Sequence, residues 1–183
     1  MRKLRKALFS TLLVLVEASL ILHTIASAQV EDRVVHVLYP NDCPVEIRAI
    51  KVAERPIEAQ KPFAASEDWL KSLSWEIENT WEKSVACVEI NLDFHELATQ
   101  KDRIFKYQYG RRTNISGVLD ETELLRPGQR TRVVISDEEY VEIKRFIETR
   151  QADFSPSIVE MKVAKVVFED GTVWPAKRKA EGL

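Results

Sequence analysis

The stretch Ala86-Cys87-Val88-Glu89-Ile90-Asn91-Leu92-Asp93-Phe94 decides the fold. Ala86, Val88, Ile90, Leu92 and Phe94 alternate with Cys87, Glu89, Asn91 and Asp93. Successive side chains of an extended strand point to opposite faces, so this pattern makes a strand with one dry and one wet face. A helix would instead repeat its apolar residues three and four apart. The same alternation recurs on either side. Leu73, Trp75 and Ile77 alternate with Ser74, Glu76 and Glu78, and Asn79 to Lys83 makes a polar turn with Trp81 at its tip. Downstream, Phe105, Tyr107 and Tyr109 share one side of a strand over 104–109. Nearer the start, Val35, Val37 and Tyr39 oppose Val34, His36 and Leu38, and Pro40-Asn41-Asp42 stops that strand. Val45 to Val52 reads as a second strand, with Val45, Ile47 and Ala49 opposite Ile50 and Val52. Pro56 and Pro62 keep the following connection out of any central strand.

The second half adds two turns, two strands and one helix. Arg126-Pro127-Gly128-Gln129 has the chemistry of a type II turn and leads into Val133 and Ile135. From Ile158 onward, Val159, Met161, Val163 and Val167 oppose Ala164, Val166 and Phe168, as in an interior strand. Glu169-Asp170-Gly171-Thr172 then turns the chain back through Val173 and Trp174. The helix is expected over 137–150. Ser136 and Glu139 have capping-box spacing, and Tyr140, Ile143, Phe146 and Ile147 form an apolar stripe that must cover the edge or end of a sheet. Seven or eight short strands without regular strand–helix alternation predict an all-β, antiparallel two-sheet sandwich.

The chain opens with Arg2, Lys3, Arg5 and Lys6, an apolar run from Leu8 to Val16, and Ala26-Ser27-Ala28. That order is a secretory signal peptide over residues 1–28. Glu17, Ser19 and His23 interrupt the run, so it falls short of the ~20 apolar residues of a spanning helix. No stable membrane span is expected after cleavage. A secreted or periplasmic chain of 155 residues remains: one domain over 29–176 and a charged tail over 177–183. Taking the four basic and one acidic residues of the leader from 27 and 29 leaves 23 and 28, a net charge of −5. This balance lacks the concentrated basic face that nucleic acid requires.

Cys43 and Cys87 are the only cysteines. In an exported chain they are expected to pair, closing a loop of 44 residues worth about 4 kcal/mol in chain entropy. Asn114-Ile115-Ser116 is a glycosylation sequon, of consequence only in a glycosylating host.

Asn79, Lys83-Ser84-Val85 and Pro127-Gly128 are placed in a manner that resembles the immunoglobulin-like and fibronectin-like modules of bacterial exported proteins. Phe168-Glu169-Asp170-Gly171-Thr172 with Trp174, and Glu67-Asp68-Trp69-Leu70, look like secreted bacterial proteins of unassigned role built on one such module. The resemblance implies an immunoglobulin-like sandwich and carries no catalytic residues.

Asp93, His95 and Glu96 are the one tight run of metal-capable side chains, but a strand would turn Glu96 away from the other two. They read as a polar strand end, and no metal or other cofactor is expected. No Gly-x-Ser-x-Gly or His-Glu-x-x-His motif occurs, and no enzyme is expected. Trp75 and Trp174 are expected inside. Trp81, Tyr107 and Tyr109 are the candidates for an exposed ligand-stacking face. The expected role is a non-catalytic binding or structural module of the cell envelope, acting on a protein partner or envelope component. A carbohydrate-binding module using exposed aromatics is the alternative.

Overall fold

The computed structural model describes residues 31–97, 102–110, 124–151 and 155–175. The signal segment, the sequon and the charged tail lie outside these residues. Ten strands occur among them: β1 (Glu31–Leu38), β2 (Val45–Val52), β3 (Arg55–Pro56), β4 (Pro62–Ala65), β5 (Leu73–Asn79), β6 (Val85–Asp93), β7 (Ile104–Gly110), β8 (Arg130–Val134), β9 (Ile158–Phe168) and β10 (Val173–Trp174). A 3₁₀ turn (Trp69–Ser72) precedes β5, and helix α1 (Asp137–Glu148) lies between β8 and β9. The strands form a β4-β1-β9-β6-β7 sheet, with β10 also paired to β9, and a β3-β2-β5-β8 sheet. This is an all-β sandwich with one short helix. One ladder departs from the antiparallel expectation: β1 runs parallel to β9, with Val35 opposite Val159 and Val37 opposite Met161.

One apolar core serves both sheets. Val35, Trp75, Ile77, Val88, Ile90, Leu92, Val159 and Met161 are all fully enclosed. The dry residues of β6 are therefore the ones its alternation assigns. Its wet face is less wet than expected, because β7 and β9 flank it on both sides.

In β2 the structure corrects the reading of faces. Val45, Ile47, Ile50 and Val52 are all buried, although simple alternation puts the last two opposite the first two. Ala49 adopts a left-handed φ of 45°, and the register with β5 shifts between Arg48 and Lys51. This β-bulge inserts one residue and returns the second half of the strand to the core side.

Helix α1 starts as expected. Ser136 Oγ accepts from Glu139 N at 3.2 Å, and Glu139 accepts from Ser136 N at 2.7 Å. Ile143 and Ile147 are buried, while Phe146 packs edge-on to Phe105 at 5.5 Å and tilted to Phe94 at 6.1 Å. The helix thus closes the end of the sandwich where β6 stops and β7 begins. No helix among the described residues is long and apolar enough to cross a membrane.

Candidate functional site

The sheet register builds a polar cluster at the end of β6. Asp93 is the last residue of β6 and lies opposite Glu160 of β9, so the two carboxylates are cross-strand neighbours. His95 follows two residues later. Its Nε2 is 3.1 Å from Glu160 Oε2 and 3.9 Å from Asp93 Oδ2. Arg103 Nε stands 2.6 Å from Asp93 Oδ1. Phe94 N donates to Arg103 O at 3.1 Å, which holds the arginine beside the strand end. Among the described residues, Asp93, His95 and Glu160 are the one group of three metal-capable side chains whose ligand atoms lie within 4.8 Å of one another. On the far side of β9, His36 of β1 is the register partner of Glu160.

Glu96 takes no part. Its carboxylate accepts from Ser157 N at 2.8 Å and Ile158 N at 3.0 Å, and also bonds the Ser157 hydroxyl. It anchors the start of β9. Sequence spacing thus identified two members of the cluster and could not identify Glu160, which arrives through strand pairing alone.

The aromatic candidates separate. Trp81 is 39% exposed at its turn and stacks on Phe168, with centroids 5.7 Å apart and planes 14° apart. Lys83 Nζ lies 5.8 Å from the same Phe168 ring. Tyr107 is buried and packs edge-on against Trp75 at 5.2 Å, so it is not part of an exposed face. The cause is its position in β7: Lys106 and Gln108 point to solvent, which turns Tyr107 between the sheets. Burial and the nearby Glu139 carboxylate push its phenol pKa well up. Tyr109 is half-buried. Trp69 and Trp75 are buried, and Trp174 is half-buried.

The expected disulfide does not form between Cys43 and Cys87. Cys43 lies just before β2 of the smaller sheet, and its thiol donates to Val45 O at 3.1 Å. Burial pushes that thiol pKa up, partly offset by the same bond. Cys87 lies in the other sheet, between Gly110 of β7 and Val167 of β9. It is buried rather than on a wet face, because β6 is enclosed on both faces at this end.

Concavities flank the helix and the strand edges. A pocket of about 100 Å³ between α1 and the 3₁₀ turn is lined by Asp68, Tyr140, Lys144 and Glu148 among others. There the Tyr140 hydroxyl donates to Asp68 Oδ1 at 2.5 Å, and burial with that bond raises its pKa. A cleft of about 340 Å³ opens between β3 and β4, walled by Val52, Ile57, Phe63 and Trp69. Compared with family models, curated proteins and solved structures, the chain matches none.

Proposed function

We propose that the chain is a non-catalytic, exported binding module of the cell envelope, and that it engages a protein partner by strand addition along β8. The observation that carries this reading is the edge itself. An unpaired strand edge presents backbone donors and acceptors to any extended segment that can pair with it. In the smaller sheet the β3 edge is two residues long and contains Pro56; in the larger sheet the β4 edge contains Pro62, and the β7 edge is packed by α1 through Phe105 and Phe146. Proline blunts an edge because it cannot donate to a ladder. β8 contains no proline, its outer side meets no described strand, and Val134 is 52% exposed. Arg130 and Arg132 are already engaged by Glu78 and Glu54, which leaves the backbone of β8 as its free recognition element. The leader sequence and the resemblance to exported sandwich modules support the compartment.

The test is a photo-crosslinking residue at position 134, compared with one at Glu58 in an exposed turn, in the cell that produces the protein. One recurrent envelope adduct from position 134 alone supports the reading. Equal labelling from both positions, or none, refutes it.

A second reading is favoured by Trp81, whose exposed ring is held flat on Phe168 as a stacking platform for a sugar. Glycan-array binding that disappears in Trp81→Ala would select it.

A further inference from the structure

We propose that Asp93, His95 and Glu160 bind one divalent transition-metal ion of the zinc class, a site that stands independently of the β8 edge. The first argument is spacing. Ligand bonds of about 2.0–2.1 Å around a tetrahedral ion put neighbouring ligand atoms ~3.3 Å apart. The observed separations from His95 Nε2, 3.1 Å to Glu160 and 3.9 Å to Asp93, bracket that value. The second is rigidity. Asp93 and Glu160 are paired residues of adjacent central strands, so their backbones are fixed relative to each other before any ion arrives. The third is donor chemistry. One imidazole with two carboxylates suits zinc and its neighbours, whereas calcium takes six to eight oxygens.

Arg103 fixes the orientation of Asp93. Asp93 is 9% exposed, and its Oδ1 has no hydrogen bond even though Arg103 Nε lies 2.6 Å away. The contact is a charge pair whose N–H is not aligned on the oxygen. Arg103 therefore compensates charge at Oδ1 and leaves Oδ2 on the His95 side of the carboxylate. That is the part an outer partner plays in orienting a metal ligand. With Arg103 offsetting one of the two carboxylates, the cluster keeps a net charge of −1 toward a dication. The side chains of His95 and Glu160 are 36% and 22% exposed, so an ion can enter from solvent. Three protein donors leave a fourth position for water.

The competing account is an imidazolium of His95 bridging two carboxylates with no affinity for metal. Purified protein, stripped with a chelator, is titrated with zinc by calorimetry and with cobalt by visible absorption. Expected are one ion per chain and a raised melting temperature, as for any ligand bound only by the folded state. His95→Ala and Glu160→Gln should each weaken binding at least about tenfold, as the loss of a ligand atom requires. Asp42→Asn, on an exposed turn, should bind as the unsubstituted chain does. Cobalt should also shift and broaden the His95 ring signals in the unsubstituted protein, a readout independent of how the variants fold. Absence of stoichiometric binding, unperturbed His95 signals, or less than tenfold weakening in folded His95→Ala or Glu160→Gln overturns the assignment.

Discussion

Replacing Asn79 by alanine should cost about 2–4 kcal/mol, although this residue reads from sequence as an ordinary turn asparagine. Asn79 is fully buried at the end of β5. Its Nδ2 donates to Lys83 O at 2.8 Å and Leu125 O at 2.9 Å, and its Oδ1 accepts from Trp81 N at 3.1 Å. Its backbone joins in, since Asn79 N donates to Gln129 O and Gly128 N donates to Asn79 O. One side chain thus ties the 79–85 turn to the 124–129 turn. In Asn79→Ala, Leu125 O keeps a donor, because Val85 N also bonds it at 2.9 Å. Lys83 O and Trp81 N lose the amide. A polar group left without its partner costs about 1–3 kcal/mol, and these two lie near the surface, at the low end of that range. Adding the packing lost with a buried amide gives the total above. For a domain of this size it lowers the melting temperature by about 5–15 °C. Asn79→Asp should be worse at neutral pH, because a carboxylate oxygen then faces two carbonyls. The folded state favours its protonated form, so its folded pKa lies above the unfolded value near ~3.9. The deficit is smallest below that value and grows as pH rises through the folded pKa. Thermal and urea melts of the three proteins at pH 4 and pH 7 test this. An Asn79→Ala protein within about 0.5 kcal/mol of the parent, or an Asn79→Asp protein whose deficit shrinks with rising pH, would refute the reasoning.

Ser136→Ala removes the α1 cap and should cost about 1 kcal/mol in a urea melt, with Glu139→Ala coupled to it in a double-mutant cycle. Ala49→Val should destabilise by about 1–2 kcal/mol although the site is an exposed strand position, because its φ of 45° is hostile to a β-branched side chain. A neutral result would remove the bulge argument for β2. Gly110→Ala should cost more than about 2 kcal/mol by the same melts, since φ is 77° and the added carbon meets Ala86 O. Reductant should leave the melting temperature unchanged, because Cys43 and Cys87 do not form a disulfide. A drop on reduction would restore the pairing expected from an exported chain.

The strands were legible where burial is set by alternation alone. β2 matched its expected limits, and β6 and β7 matched to within a residue, because apolar side chains two apart have no other way to share a core. The helix was legible because capping is local: Ser136 and Glu139 bond to each other's backbone across a single turn. What alternation cannot carry is a change of phase. The bulge at Ala49 needs one left-handed residue, and alanine gives no signal of it. Pairing is equally silent. That β1 would lie parallel to β9, from the opposite end of the chain, follows from closing the core and from no local motif. The two cysteines were misread for the same reason. Compartment chemistry permits a bond but does not place its partners: Cys43 precedes β2 with its thiol on Val45 O, and Cys87 lies within β6.

The polar cluster repeats this lesson at the level of chemistry. Sequence proximity offered Asp93, His95 and Glu96 as a group. Glu96 lies in the turn after β6, closed by the bond from Leu97 N to Phe94 O, and its carboxylate finds the backbone of Ser157 and Ile158. In fixing the start of β9 it helps set the register that brings Glu160 opposite Asp93. The residue that leaves the group therefore helps position the one that completes it. Arg103 is placed through the same ladder, by the bond from Phe94 N to its carbonyl. Between them, β6, β7 and β9 determine the positions of both carboxylates and of the guanidinium that offsets one of them. His95 stands just beyond the ladder, where its Nε2 faces both carboxylates, and that placement suits it to be the third donor to an ion.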